Sequence, residues 1–278
     1  MKVACVVSHM DELTVTASMQ TISKSGAGLI SLHRLVAGKT PMSESFNAAL
    51  NIAWEHECDV LVHTASDVLL ERRAIPVLLE SMDMDRHYLS VARGYDAIHG
   101  FGTGGLWAFN MRVMKDQFRF RDVFKQDLDL CGRIEAATDL TRVYTPMDDA
   151  LTYHHPIWTA RELYGKYRYS YPKYSKESTR EDMQAFIQRG LMRNPGNKAL
   201  LAGARGLEAA ERWGAMAGAK NAEEIEREYA RDCSDLGISG KEFYVKHAFY
   251  QKLAQGILDS SDSCAPEPLE DGVPLIRQ

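Results

Sequence analysis

Apolar residues fall in short unbroken runs through the first part of the chain and at helical spacing through the rest. Val3-Ala4-Cys5-Val6-Val7 and Val60-Leu61-Val62 have no polar interruption, as expected of strands buried on both faces. The pattern predicts strands over 2–8, 28–36, 59–64, 88–92 and 106–109. Between them, helices are predicted over 13–24, 41–56, 71–82 and 127–137. In 41–56, Phe46, Leu50, Ala53 and Trp54 share one face, with Ser43 or Ser45 near the start. This alternation predicts an α/β domain with a mostly parallel central sheet.

Past residue 176 the alternation stops. Helices are expected over 180–189, 198–217, 222–232 and 241–258, punctuated by Gly190, Pro195-Gly196, Gly218 and Gly237 to Gly240. The end of the chain is rich in Ser, Asp, Pro and Glu, a composition expected to be flexible. The expected plan is an α/β domain over 1–175, a helical region over 176–260 and a tail over 261–278.

The 278 residues are 45% apolar, enough for a sizeable core, and the net charge of −5 gives no global case for nucleic acid or membrane. Cys5, Cys58, Cys131, Cys233 and Cys264 are scattered without C-x-x-C spacing, which supports neither a zinc site nor a redox motif. An odd, scattered set fits a reducing compartment. No segment approaches the roughly 18 apolar residues of a membrane span, and the apolar start is too short for a secretory segment. A soluble, cytoplasmic protein is expected; the sequence does not give its oligomeric state.

Chemistry gathers at a few places. Asp67 follows the strand over 59–64, and ligands collect at the carboxyl ends of strands in open α/β sheets. An acid there can hold Mg²⁺ or Mn²⁺ against a diphosphate, or simply cap a turn. His154 and His155 precede Pro156; adjacent residues in an extended segment point opposite ways, so one can be a ligand and the other structural. Asp127 and Asp129 start a predicted helix, where acids are favourable in their own right and where one can act as a general base. Trp107 follows Gly104-Gly105-Leu106 and can pack in the core or against a sugar. Gly100-x-Gly102-x-x-Gly105 matches the dinucleotide fingerprint in letters only, since a strand rather than a helix is predicted after it. Between Arg161 and Lys176, five tyrosines (Tyr164, Tyr167, Tyr169, Tyr171, Tyr174) interleave with cations. Such a stretch can serve sugar stacking, phosphate contact or unpaired bases, or can pack against the helices.

In order and spacing, Ser66-Asp67-Val68, Gly104-Gly105-Leu106-Trp107, the Asp127 segment and Tyr153-His154-His155-Pro156 resemble the metal-dependent nucleotide-sugar glycosyltransferases of the GT-A fold. Gln126-Asp127-Leu128-Asp129-Leu130-x-x-Arg133 is similar to the Glu-Asp-x-Asp/Glu-Leu-x-x-Arg signature of family 2. The resemblance covers roughly residues 1 to 156. It implies a GT-A-like fold and a nucleotide-diphosphate sugar donor, a UDP-sugar favoured. It implies Mn²⁺ or Mg²⁺ held by Asp67 and a late histidine, His155 first and His154 second. Asp127, with Asp129 beside it, would supply the base of an inverting transfer to an acceptor hydroxyl. Asp11, Asn47, Ser66, Gly105 and Trp107 would contact the donor. The chain departs from the pattern at Ala65, Gln126 and Phe46, which stand where acids and an arginine are usual. Gly-Gly-Leu-Trp and the histidine pair are also similar to retaining GalNAc transferases, which leaves stereochemistry open. The alternatives are a transferase acting on modified nucleic acid through Tyr164–Lys176, and a non-catalytic binding protein on a degenerate GT-A scaffold. A nucleotidyltransferase would be expected to carry a Gly-rich N-terminal phosphate loop, which this chain lacks.

Overall fold

The computed structural model describes residues 1–10, 12, 14–38, 41–96, 100–114, 117–147, 151–154, 157–173, 177–216, 221–238 and 243–244. The chain runs β1 (Val3–His9), α1 (Val15–Ser25), β2 (Leu32–Ala37), α2 (Met42–Glu55), β3 (Val60–Ala65), β4 (Val68–Leu70), α3 (Ala74–Glu80), β5 (His87–Asp96) and β6 (Gly100–Asn110). It continues through α4 (Gln126–Ala137), β7 (Thr141–Tyr144), β8 (Thr152–His154), β9 (Trp158–Thr159) and α5 (Ala160–Lys173). Then come α6 (Glu177–Arg193), α7 (Lys198–Trp213), α8 (Ala222–Asp232), a 3-10 turn (Ser234–Leu236) and β10 (Phe243–Tyr244).

Eight strands form one sheet, ordered β2-β1-β3-β6-β5-β8-β4, with β7 also on β5. Four of its pairings are parallel (β1 with β2 and β3, β5 with β7 and β8). β6 runs antiparallel between β3 and β5, and β4 antiparallel to β8. The sheet is thus mostly parallel, with two reversed strands, β6 inside it and β4 at its edge.

The unbroken apolar run of β1 is explained by two-sided burial. Ala4 and Val6 face one core with Phe46, Leu50, Phe109, Leu130 and Ile134, so α2 and α4 cover that side. Val3, Cys5 and Val7 face the other with Ile22, Ile75, Leu78 and Leu106, under α1 and α3. Fully burying each such aliphatic side chain stabilises the fold by about 1.5–3 kcal/mol. A third core holds Trp158, Tyr164, Tyr167, Met183, Leu200 and Ile225. It packs α5 with the helices that follow, so the helical layer begins at Ala160, inside the segment expected to be α/β.

Several sequence expectations shift. The region over 161–173 is helical, and its tyrosines pack inward. The helix expected over 241–258 lies outside the described residues, apart from Phe243 and Tyr244, which pair with Thr159 and Trp158 as a strand; the tail also lies outside them. β5 and β6 pair as one long hairpin, with Asp96 opposite Gly100, so the glycine-rich stretch is itself strand and not a flexible lead-in to a strand over 106–109. Cys5, Cys58, Cys131 and Cys233 are free and buried. Among the described residues no helix is long and apolar enough to cross a membrane.

Candidate functional site

A polar centre forms at the carboxyl ends of β1 and β3, where strand geometry leaves backbone and side chains facing outward. Ser66 is fully buried just past β3. Its Oγ donates to Glu12 Oε2 (2.7 Å), and its carbonyl accepts from Thr14 Oγ1 (2.7 Å). His9, the last residue of β1, places Nδ1 2.9 Å from the same Glu12 oxygen and 3.1 Å from Ser66 Oγ. Asp67 follows, and the antiparallel register that sets Val68 against His154 carries the imidazole to it. His154 Nε2 lies 3.6 Å from Asp67 Oδ1 and Nδ1 3.3 Å from Asp96 Oδ2. Burial alone would push this imidazole's pKa down, but the carboxylates on either side outweigh that and hold it above the ordinary range.

The first turns of α5 close the centre. Thr159 and Glu162 form a capping box: Thr159 N–H donates to Glu162 Oε2 (2.7 Å) and Glu162 N–H to Thr159 Oγ1 (3.2 Å). Burial pushes the Glu162 carboxyl up to about 7; the Thr159 backbone bond opposes this, and the negative charges of Glu12 and Asp67 add to it. One turn on, Lys166 Nζ sits 3.6 Å from Asp96 Oδ2 and 5.8 Å from the centre of the Trp158 ring. Gly105 borders the histidine: at φ +73°, a conformation side chains rarely adopt, an added Cβ would lie 3.6 Å from the His154 ring and 3.1 Å from Val68.

Asp127 occupies a second centre, beside Trp107 and Phe109 of β6. Trp107 stacks on Phe46 (ring centroids 5.3 Å) beside His63 and Phe109. Together with Leu89, Val91, Phe120 and Leu130 it walls a cavity of about 210 Å³ whose polar members include Asp127 and Arg142. Lys125 stands before α4 in the left-handed conformation (φ 59°), and its carbonyl accepts from the backbone N–H groups of Leu128 and Asp129. That strained entry aims Asp127 at the cavity and at Lys173, whose Nζ is 3.0 and 3.1 Å from its two oxygens.

The remaining sequence candidates serve packing contacts in this structure. Asp129 takes a 2.9 Å bond from Arg133 Nε one turn along α4. Asn47 spends its amide on the Phe120 backbone, donating to the carbonyl and accepting from the N–H, each at 2.9 Å. Asp11 and His155 lie outside the described residues.

The tyrosine-rich segment is now legible. Tyr164 and Tyr167 are fully buried in the helical core, their hydroxyls donating to Asp232 and to the Met183 carbonyl at 2.7 Å. Arg161, Lys166, Arg168 and Lys173 each pair with an acid of the chain itself. The segment therefore builds the helical core and tethers it to the sheet; Tyr174 and Lys176 lie outside the described residues.

Sequence reading does not single out Glu12 or Asp96, and it places Glu162, Lys166 and Lys173 only within the tyrosine-rich stretch whose cations can serve phosphate contact. Thr159-x-x-Glu162 carried a readable signal, the capping-box spacing. Once α5 is helical, Glu162, Lys166 and Lys173 fall at i, i+4 and i+11 on one face. The other two are placed by nonlocal pairing.

Among the described residues no three His, Cys, Asp or Glu side chains are arranged to hold a metal ion. Asp67 and His154 together offer two donors, a carboxylate and an imidazole. The carboxylate suits Mg²⁺ or Mn²⁺, ions that bind through one or two carboxylates with phosphates and water completing the shell, and the imidazole beside it would be the further ligand.

The fold is thus a mixed α/β sheet with polar residues gathered at the carboxyl ends of its first strands and a helical layer against it. No protein-family model matches the chain. No curated protein matches it either. Among solved structures, it is similar to S. aureus TarS 1-349 in complex with UDP, at 10% identity over 92% of each chain and a TM-score of 0.43. It spans 42% of the longer TarS structure. It is also similar to a glycosyltransferase involved in glycosylation of the major capsid of PBCV-1 (7% identity, 55% of this chain, 93% of that one, TM-score 0.38). A third neighbour is CMP:2-keto-3-deoxy-manno-octonic acid synthetase complexed with CTP (7% identity, 52% and 90%, TM-score 0.38).

Proposed function

We propose that the chain is a glycosyltransferase, moving a hexosyl or pentosyl group from a nucleotide-diphosphate sugar, a UDP-sugar favoured, to an acceptor hydroxyl. One observation carries the reading. β8 brings His154 to Asp67 at the sheet rim, while Asp127 lines the cavity walled by Trp107 and Phe109. Lys166 touches the first centre and Lys173 the second; seven residues apart on one helix, they are separated by about 10 Å. That is a span suited to a sugar held by its diphosphate at one end and attacked at the other.

In this reading Asp127 accepts the acceptor's hydroxyl proton as that oxygen attacks the anomeric carbon, and the nucleoside diphosphate leaves with the bonding pair. Attack from the side opposite the leaving group gives inversion. Asp67 and His154 would hold Mn²⁺ or Mg²⁺, which when bound neutralises charge on the leaving diphosphate. Lys166 adds a fixed positive charge beside it. Trp107, backed by Phe46, gives a rigid wall for the acceptor, and Ser66 fixes Glu12 and His9 at the rim where the nucleoside would lie.

The test is release of nucleoside diphosphate from a panel of nucleotide sugars with and without Mn²⁺. Metal-dependent release from one donor establishes the class and names the sugar. A second reading, a non-catalytic binder, is favoured by the ion pairs that already engage Asp127 and His154. It predicts donor binding by calorimetry with no turnover, with or without candidate acceptors.

A further inference from the structure

Resting on the glycosyltransferase reading, we propose that the acceptor is a compact aromatic alcohol, a phenol or a hydroxymethyl-bearing ring, and not a saccharide. The argument is the chemistry of the cavity beside Asp127. Its volume is about 210 Å³, and its walls are Leu89, Val91, Trp107, Phe109, Phe120 and Leu130. An apolar cavity of about 150 Å³ is enough to admit a benzene ring, so one substituted ring fits here.

The polar groups are few and sit where a single hydroxyl needs them. Asp127 is the carboxylate acceptor of the lining, while Arg142, whose Nε is 3.2 Å from Glu135, and the Tyr144 hydroxyl stand at its border. A pyranose would bring several hydroxyls into this space. Each one seated against the apolar walls gives up hydrogen bonds to water without regaining them, so the lining favours a ring with one hydroxyl over a saccharide. The flat ring of Trp107, stacked on Phe46, offers a face for an aromatic guest. At the same cavity Leu128 is 50% exposed, apolar surface that a seated ring would cover. In the transfer step the acceptor oxygen bonds to the anomeric carbon, the bond from that carbon to the phosphate oxygen breaks, and the hydroxyl proton passes to Asp127.

The experiment is a binding titration without donor, so that it stands apart from the turnover assay. 4-Methylphenol and methyl glucoside are compared by ligand-observed NMR on the full chain, on Leu128→Lys and on Val91→Phe. Saturable binding of 4-methylphenol, tighter than that of methyl glucoside and weakened at least fivefold by Leu128→Lys, is the expected result. Leu128 is exposed, so this variant reports even if Val91→Phe fails to fold. Tighter binding of methyl glucoside, no saturable binding of 4-methylphenol, or binding indifferent to Leu128→Lys overturns the proposal. Failure of donor release with 4-methylphenol still bound would count against the transferase reading alone.

Discussion

Lys173 Nζ sits 3.0 and 3.1 Å from the two oxygens of Asp127, which ties the last turn of α5 to the first turn of α4. The bond joins the helical layer to the residue proposed as the base. It also occupies the oxygens that an acceptor hydroxyl must reach, so acceptor and Lys173 compete for the same carboxylate. Asp127→Asn should therefore lower transfer by 10²-fold or more while the donor's KM stays within twofold. Lys173→Met should keep a tenth or more of the activity and, because both groups are partly exposed, change the unfolding free energy read from urea titration by less than about 1 kcal/mol. Steady-state kinetics with the donor found by the release assay separates the two; equal losses would mean that Lys173 is needed to hold Asp127 in place.

At the other centre, Asp67 is next to His154 and near the acid Glu162. Removing its charge should hurt donor binding only where a cation takes part. Asp67→Asn is expected to weaken donor affinity more than tenfold in Mn²⁺ and to leave it unchanged in EDTA, read by calorimetry. An equal loss in both conditions would assign Asp67 a purely structural part.

His63 gives a pH signature of the fold itself. Its ring is enclosed by Phe46 and Trp107, its Nε2 is 2.9 Å from Ser8 Oγ, and burial pushes its pKa down to about 3. The unfolded chain therefore binds a proton near pH 6.5 that the folded chain refuses until about pH 3. Stability is full above 6.5 and falls as pH drops through that window. Between pH 7.5 and 4.5 the loss from this group should be about 2–3 kcal/mol. Urea unfolding of the parent and of His63→Phe at the two pH values checks it: the variant should lack that part of the acid sensitivity.

The parts of the fold that could be read from the sequence are those whose signal is local. β1 and β3 announce themselves by unbroken apolar runs, and α8 by its period, with bounds Ala222 and Asp232. β4, β8 and β9 span three, three and two residues, too short for any period to show. In α5 cations alternate with tyrosines, which hid a helix whose aromatic face is core. The candidate site divides the same way. Asp67, Asp127 and Trp107 stand in recognisable local settings. The approach of His154 to Asp67 depends on β4 pairing with β8, and that of Asp96 on β8 pairing with β5. These are long-range registers that no spacing along the chain discloses.

Glycine in the helices offers a last test, of packing between layers. α5 and α7 cross so closely that a Cβ on Gly206 would run into the backbone carbonyl of Tyr164, whereas one on Gly132 in α4 would meet nothing within 4 Å. By helix propensity alone, each Gly→Ala should stabilise by about 0.5–1 kcal/mol. Gly132→Ala should do so, since its position is exposed. Gly206→Ala should instead destabilise by about 1–3 kcal/mol, because backbone cannot move aside as a flexible side chain can. Tyr164 would shift with its helix and strain its 2.7 Å bond to Asp232. Opposite signs in paired urea titrations would establish the close backbone crossing of α5 and α7; a gain in both variants would mean that the two helices stand further apart.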